Sequence, residues 1–146
     1  QSGKMLERAR SRWRDRIDPA TAERYAQPPF RQANLLELTV PDPFRPDWIA
    51  MSFALHLFPP GQVENLMEKM LAASSKGVLI IDHEQRWNPF MALIEWFEGS
   101  WYDQYVRTDF GELARRLGAE LRSTPLAGCQ VLEFQKPFNP VQQNMS

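Results

Sequence analysis

One short apolar run sets the expected architecture of this chain: Val78-Leu79-Ile80-Ile81-Asp82-His83. The run is rich in β-branched residues and follows a glycine, Gly77. Its length and composition predict a buried strand. The residues before it, 62–73, carry apolar side chains at helical spacing, which predicts an amphipathic helix that leads into the strand.

The same alternation of helices and strands continues on both sides of this unit. Residues 47–55 form a second apolar run in the length range of a buried strand, and residues 88–97 and 108–118 have the patterns of helices. Residues 119–123 and 128–135 predict a terminal antiparallel pair of strands. We therefore expect an α/β fold: a Rossmann-like, mostly parallel sheet with helices on both faces and a C-terminal antiparallel strand pair.

Two weaker elements are expected nearer the N-terminus. Residues 3–16 predict a helix, because apolar residues recur there at helical spacing, and residues 31–38 predict a short strand. Residues 137–146 have no pattern and are expected to form a flexible tail. The remainder, residues 1–136, is expected to be a single α/β domain.

Composition narrows the function classes. The net charge is −1, so no overall electrostatic attraction to nucleic acid is expected. The basic residues of the first helix alternate with acids, which favours a solvated helix face. No apolar run is long enough to span a membrane. Cys129 is the only cysteine, which excludes an internal disulfide and a cysteine-based zinc site and suits the cytoplasm.

Five stretches follow one another in a familiar order: residues 32–38, 40–49, 51–58, 70–82 and 105–121. They include a short strand, a proline-rich loop before an apolar strand, a strand tip with a histidine, a helix that turns into a strand, and a late helix. In this order they resemble successive parts of class I S-adenosylmethionine (SAM)-dependent methyltransferases. The resemblance implies that fold, SAM as the cofactor, and methyl transfer to a small apolar or aromatic molecule.

The start of the chain resembles the middle of that family's fold. Residues 1–10 are similar to the segment after the second strand, where Met5 and Leu6 lead into a basic helix. The family's glycine-rich turn and ribose-binding acid would fall before Gln1, so we expect an incomplete chain without the first strands of the family fold.

Open sheet edges would favour pairing with a second copy or a partner chain. Three arrangements stay open. The missing part is cleaved or split off, a partner covers the gap, or residues 31–38 pair directly with residues 47–55.

The resemblance also assigns roles to individual residues. Asn34 and Leu35 would lie near the adenine, and Ser52 and Phe53 near the methionine moiety of the cofactor. His56 or His83 would lie near the substrate.

The two histidines also stand out without the resemblance. His56 follows one predicted strand and His83 ends the next, at the edge where open α/β sheets bind ligands. His56 is therefore a candidate general base, and His83 is a second candidate catalytic residue beside it. A structural role as a hydrogen-bonded loop residue is the alternative for His56. Asp82 and Glu84 flank His83, but metal-binding spacing such as His-x-x-x-His is absent, so we expect substrate-facing polar groups and no metal.

The segment after this strand is unusually aromatic. Trp87, Trp101, Tyr102 and Tyr105 fall where the family places a substrate-covering segment, so they are candidates for the substrate pocket. Core packing and a protein interface are the two alternatives for these side chains.

Three functions are therefore compared. The first is a SAM-dependent methyltransferase. The alternative is a non-catalytic, methyltransferase-like remnant that acts in protein assembly, which would lack a glycine-rich loop altogether. A third, nucleic-acid binding through the first helix, would require a steep salt dependence that the mixed charges argue against.

Overall fold

A computed structural model describes residues 4, 7, 8, 11, 12, 36, 37 and 46–137. The chain divides into two compact units, residues 1–38 and 39–146. The prediction of one domain over residues 1–136 stays a prediction. The predicted tail lies outside the described residues, apart from Pro137.

The first unit is described at a few positions. Lys4, Glu7, Arg8, Ser11 and Arg12 are helical and exposed, in agreement with a solvated helix over residues 3–16. Leu36 and Glu37 lie in a turn, so the predicted strand over residues 31–38 is wrong at these two positions. The rest of that stretch lies outside the described residues, and so does any pairing it makes with residues 47–55.

The second unit alternates strands and helices, as the pattern predicts. Its elements are β1 (Trp48–Ser52), a 3-10 turn (Leu55–Leu57), α1 (Pro60–Ala73), β2 (Gly77–His83), α2 (Pro89–Glu98), α3 (Tyr102–Tyr105), α4 (Phe110–Arg116), β3 (Glu120–Leu126) and β4 (Cys129–Gln135). None of the helices in the described ranges has the length and apolar character needed to cross a bilayer.

The four strands form one sheet in the order β1-β2-β4-β3. β1 and β2 are parallel, and β4 pairs in antiparallel fashion with both β2 and β3. The α/β class and the C-terminal antiparallel pair are thus confirmed, and the sheet over residues 46–137 is mixed, with one parallel pair. Because β1 and β2 run the same way, the residues that follow them meet at the same edge of the sheet.

β1 is shorter than the predicted strand over residues 47–55. It ends because Phe53 has a left-handed backbone with φ of 47°, which is rare for a bulky residue. The Phe53 N–H still donates to the Ile81 carbonyl oxygen at 2.7 Å. The chain leaves the sheet immediately after this hydrogen bond. The 3-10 turn then leads to Pro60, which suits the first turn of α1 because proline has no N–H to leave unpaired.

The core lies against β2 and β4. Val78, Ile80 and Phe134 have no exposed surface, and Leu66 and Met67 of α1 are also buried. Gly77 begins β2 at a point of close approach: a Cβ there would collide with the Phe134 carbonyl oxygen and lie 2.7 Å from Cζ3 of Trp48. Sheet packing therefore requires a glycine at the start of β2.

We predict that Gly77→Ala lowers the free energy of unfolding by about 1–3 kcal/mol, because the added methyl group overpacks against backbone that cannot move aside. The matched control is Gly61→Ala, since nothing lies within 4 Å of a Cβ at Gly61. Urea denaturation followed by circular dichroism measures both. Equal stabilities of the two variants would contradict the close approach.

Candidate active site

A buried carboxylate organises the shared edge of β1 and β2. Asp82 has no exposed surface. Its Oδ2 accepts from the Leu55 N–H at 2.9 Å, and its Oδ1 accepts from the His83 N–H at 2.8 Å. Its Oδ1 also lies 2.6 Å from Nδ1 of His56. One side chain thus ties the end of β2 to the 3-10 turn that follows β1.

Asp82 and His56 stabilise each other's charged forms. Burial by itself would raise the pKa of Asp82, but hydrogen bonds from His56 and from the His83 N–H outweigh burial and lower that pKa. Burial also disfavours protonated His56. The hydrogen bond to Asp82 and the charges of Asp82 and Glu95 outweigh that effect and raise the pKa of His56.

The two histidines meet beside a second buried carboxylate. Their ring centroids are 4.7 Å apart. Nε2 of His83 lies 3.0 Å from Oε1 of Glu95, and Nε2 of His56 lies 3.4 Å from Oε2. His56, His83, Asp82 and Glu95 therefore form one cluster, which contains both histidines proposed from the sequence.

Glu95 is the member of the cluster that the sequence interpretation missed. Glu84, the acid that follows His83 in the sequence, lines a neighbouring cleft, whereas Glu95 reaches the histidines from α2. A signal was present: Glu95 is the single charged residue in the apolar run from Phe90 to Phe97. A lone acid in such a run is a candidate for burial, and a buried carboxylate needs a partner because an unpaired buried charge is costly.

A cleft of about 380 Å³ opens beside His83. Its lining comprises His83, Glu84, Arg86, Trp87, Asn88, Pro89, Met91, Tyr102 and Gly128. Of the four aromatic residues proposed for the substrate pocket, Trp87 and Tyr102 belong to this lining. Trp101 and Tyr105 are not part of it.

Tyr105 instead holds the end of β2 through a hydrogen bond to its last residue, His83. It is buried, donates to the His83 carbonyl oxygen at 2.9 Å and accepts from Nε2 of Gln130 at 3.2 Å. Burial raises the pKa of Tyr105 well above its usual value, so its hydroxyl remains a neutral donor. The Trp101 side chain is exposed, and its backbone N–H donates to the His56 carbonyl oxygen at 2.8 Å.

The residues proposed for the methionine end of the cofactor lie at the same edge. Ser52 ends β1 and is exposed, and Phe53 follows it with 51% of its surface exposed. The Phe53 ring lies 5.7 Å from the His83 ring in an edge-to-face arrangement. A bulky residue held with positive φ costs about 1–2 kcal/mol, and such strain concentrates at functional sites. Asn34 and Leu35, proposed for the adenine, lie outside the described residues.

Comparison with solved structures identifies the architecture. Mitomycin 7-O-methyltransferase matches with a TM-score of 0.60 and 16% identity, over 90% of this chain and 39% of its own. Human N-acetylserotonin methyltransferase, solved with SAM, matches with a TM-score of 0.55 and 15% identity, over 82% and 38%. Magnesium protoporphyrin IX methyltransferase from Synechocystis, solved with S-adenosylhomocysteine (SAH), gives 0.54 and 12%, over 81% and 57%. The chain has part of the class I methyltransferase fold.

The assignment of this fold depends on structural similarity alone, because the sequence identities are only 12% to 16%. No protein-family model and no curated protein matches the sequence. The chain spans 38% to 57% of the length of these solved methyltransferases. Within the class I methyltransferase fold, the cluster and the cleft lie beyond the carboxyl ends of β1 and β2, where open α/β sheets bind their ligands.

We predict that Asp82→Asn lowers the free energy of unfolding by about 3–5 kcal/mol, because it leaves buried donors without their charged acceptor. Asp47→Asn is the matched control. Asp47 pairs with Lys76 at 2.7 Å, but 59% of its side chain is exposed. An exposed ion pair of this kind contributes little to stability, because solvent screens its charges. Urea denaturation compares the two variants, and equal losses would show that Asp82 does not organise this edge.

Proposed function

We propose that this protein is a SAM-dependent methyltransferase that acts on a small apolar or aromatic molecule. One observation carries the proposal. The class I methyltransferase fold brings an exposed strand end, Ser52 and Phe53, next to an aromatic-walled cleft at the carboxyl edge of the sheet. Ligands of open α/β sheets bind at such an edge.

The described residues fit one end of the cofactor. Ser52 offers an exposed hydroxyl at the tip of β1, and Phe53 offers a half-exposed ring beside it. These two residues would hold the methionine end. When bound, SAM supplies a methyl group that its sulfonium has already activated for displacement.

The cleft suits a small ligand with an apolar body and a polar group. A volume of about 380 Å³ lies in the range of small-molecule sites. Trp87 and Met91 supply apolar and aromatic surface, whereas Arg86 and His83 supply donors. This composition suits a substrate that has polar groups as well as an aromatic or apolar part.

Positioning is the main task left to the protein, because an activated methyl group needs an aligned nucleophile more than it needs further chemistry. His83 is the cluster residue that also lines the cleft, so it is the one placed to contact a substrate. His56 is buried and tied to Asp82, so it acts by positioning its neighbours. The proposal thus assigns different roles to the two histidines.

The alternative function, a non-catalytic remnant that acts in protein assembly, finds no support in the comparisons. Every solved structure described above with a TM-score above 0.5 is named as a methyltransferase. The cofactor itself therefore gives the most direct test.

We predict that the purified protein binds SAH with an affinity of about 1 μM, or −8 kcal/mol, in isothermal titration. Ser52→Trp should weaken binding by about tenfold or more, because the indole occupies the space at the strand tip. Ser123→Trp is the control, since Ser123 is exposed on β3 and does not lie at the edge formed by β1 and β2.

Absence of SAH binding by the unsubstituted protein would contradict the proposed function. If both tryptophan variants bind SAH as the unsubstituted protein does, the function stands. The assignment of Ser52 to the cofactor site would then be wrong.

A further inference from the structure

Three side chains with metal-binding atoms converge at the edge of the sheet. One ligand atom from each of His56, His83 and Glu95 lies within 4.8 Å of the others. They come from the 3-10 turn, the end of β2 and the middle of α2, so no sequence spacing links them. We propose that this cluster binds a divalent transition metal ion, with Zn²⁺ as the best match.

The distances suit a tetrahedral ion. Zinc binds imidazole nitrogen and carboxylate oxygen at about 2.0–2.2 Å, so neighbouring ligand atoms of a tetrahedral site lie about 3.3–3.5 Å apart. Nε2 of His56 lies 3.4 Å from Oε2 of Glu95, and Nε2 of His83 lies 3.0 Å from Oε1, so each imidazole nitrogen is close to this spacing from one oxygen of the carboxylate.

A carboxylate behind His56 prepares that ring for coordination. Its Nδ1 lies 2.6 Å from Oδ1 of Asp82. A proton on Nδ1 leaves the lone pair on Nε2, the nitrogen next to Glu95. Carboxylate–histidine–metal arrangements of this kind fix the tautomer and make the ring a better ligand.

The charge balance also indicates a cation. Glu95 is 5% exposed, and its Oε2 is a buried side-chain oxygen with no hydrogen-bond donor among the described residues. A buried carboxylate is costly unless its charge is compensated, so the cluster requires a positive charge next to Glu95. A metal ion would bond directly to this oxygen, whereas a proton on His56 would compensate its charge only from 3.4 Å away.

The donor set further matches an open site. Two histidines and one glutamate are the ligands of zinc sites that keep a fourth position for water or substrate. His83 lines the cleft, so solvent reaches this side of the cluster. The ion would therefore lie between the buried carboxylates and the proposed substrate.

The test is a metal titration of the purified, chelator-treated protein. We expect one equivalent of Zn²⁺ by isothermal titration, and a visible absorption band with Co²⁺ that reports coordination directly. His83→Ala and Glu95→Gln should each weaken Zn²⁺ binding by about 100-fold or more, since loss of a ligand costs at least as much as loss of its supporting residue.

Cys129→Ser is the matched control. The chain has one cysteine and two histidines, and Cys129 is the cross-strand partner of His83, so its thiol is the nearest competing explanation for binding. Retained Zn²⁺ affinity in this variant, with loss in the other two, supports the proposed site. Circular dichroism confirms that each variant is folded.

Two results would overturn the site: no Zn²⁺ or Co²⁺ binding above buffer, or equal binding in folded His83→Ala and Glu95→Gln proteins. The first result would show that protons alone balance the charge of Glu95. The inference does not rest on the proposed function. Metal binding without SAH binding, and SAH binding without metal binding, are separate outcomes.

Discussion

The edge where the site lies depends on one buried carboxylate. Asp82 ends the central parallel strand and receives hydrogen bonds from Leu55 and His83 backbone groups as well as from the His56 ring. These contacts fix the turn after β1 against the end of β2 and bring the histidine rings within 4.7 Å of each other. These donors use both carboxylate oxygens, whereas a neutral asparagine would offer only one acceptor, so the geometry of the cluster depends on the carboxylate of Asp82.

Parallel pairing of β1 and β2 explains why the other candidate residues collect nearby. Residues that follow two parallel strands emerge at the same edge, and the left-handed Phe53 turns the chain away from the sheet at that point. Phe53 therefore stays exposed with its ring next to His83. The same geometry that ends the strand early creates an accessible surface at its tip.

The cluster has an inner and an outer side. His56, Asp82 and Glu95 are buried, whereas His83 borders both the cluster and the cleft. The buried members set the orientation and charge of the outer one, so a ligand in the cleft is influenced by residues that it does not contact. The exposed aromatic side chains of α2, such as Trp96 and Phe97, do not belong to this arrangement.

Local pattern was sufficient to predict most of the elements over residues 46–137, because the strand at Val78–His83 and the helices around it carry strong apolar periodicity. The order of strands and helices then predicted the α/β class and placed His56 and His83 at one edge. Pattern failed at Leu36 and Glu37, which lie in a turn within a weakly apolar stretch. Packing over long sequence distances decided the rest: Glu95 joins the cluster from α2, Trp87 and Tyr102 line the cleft, and Tyr105 is buried. A side chain's neighbours depend on how helices dock against the sheet, and that docking is a property of the folded chain that periodicity does not encode.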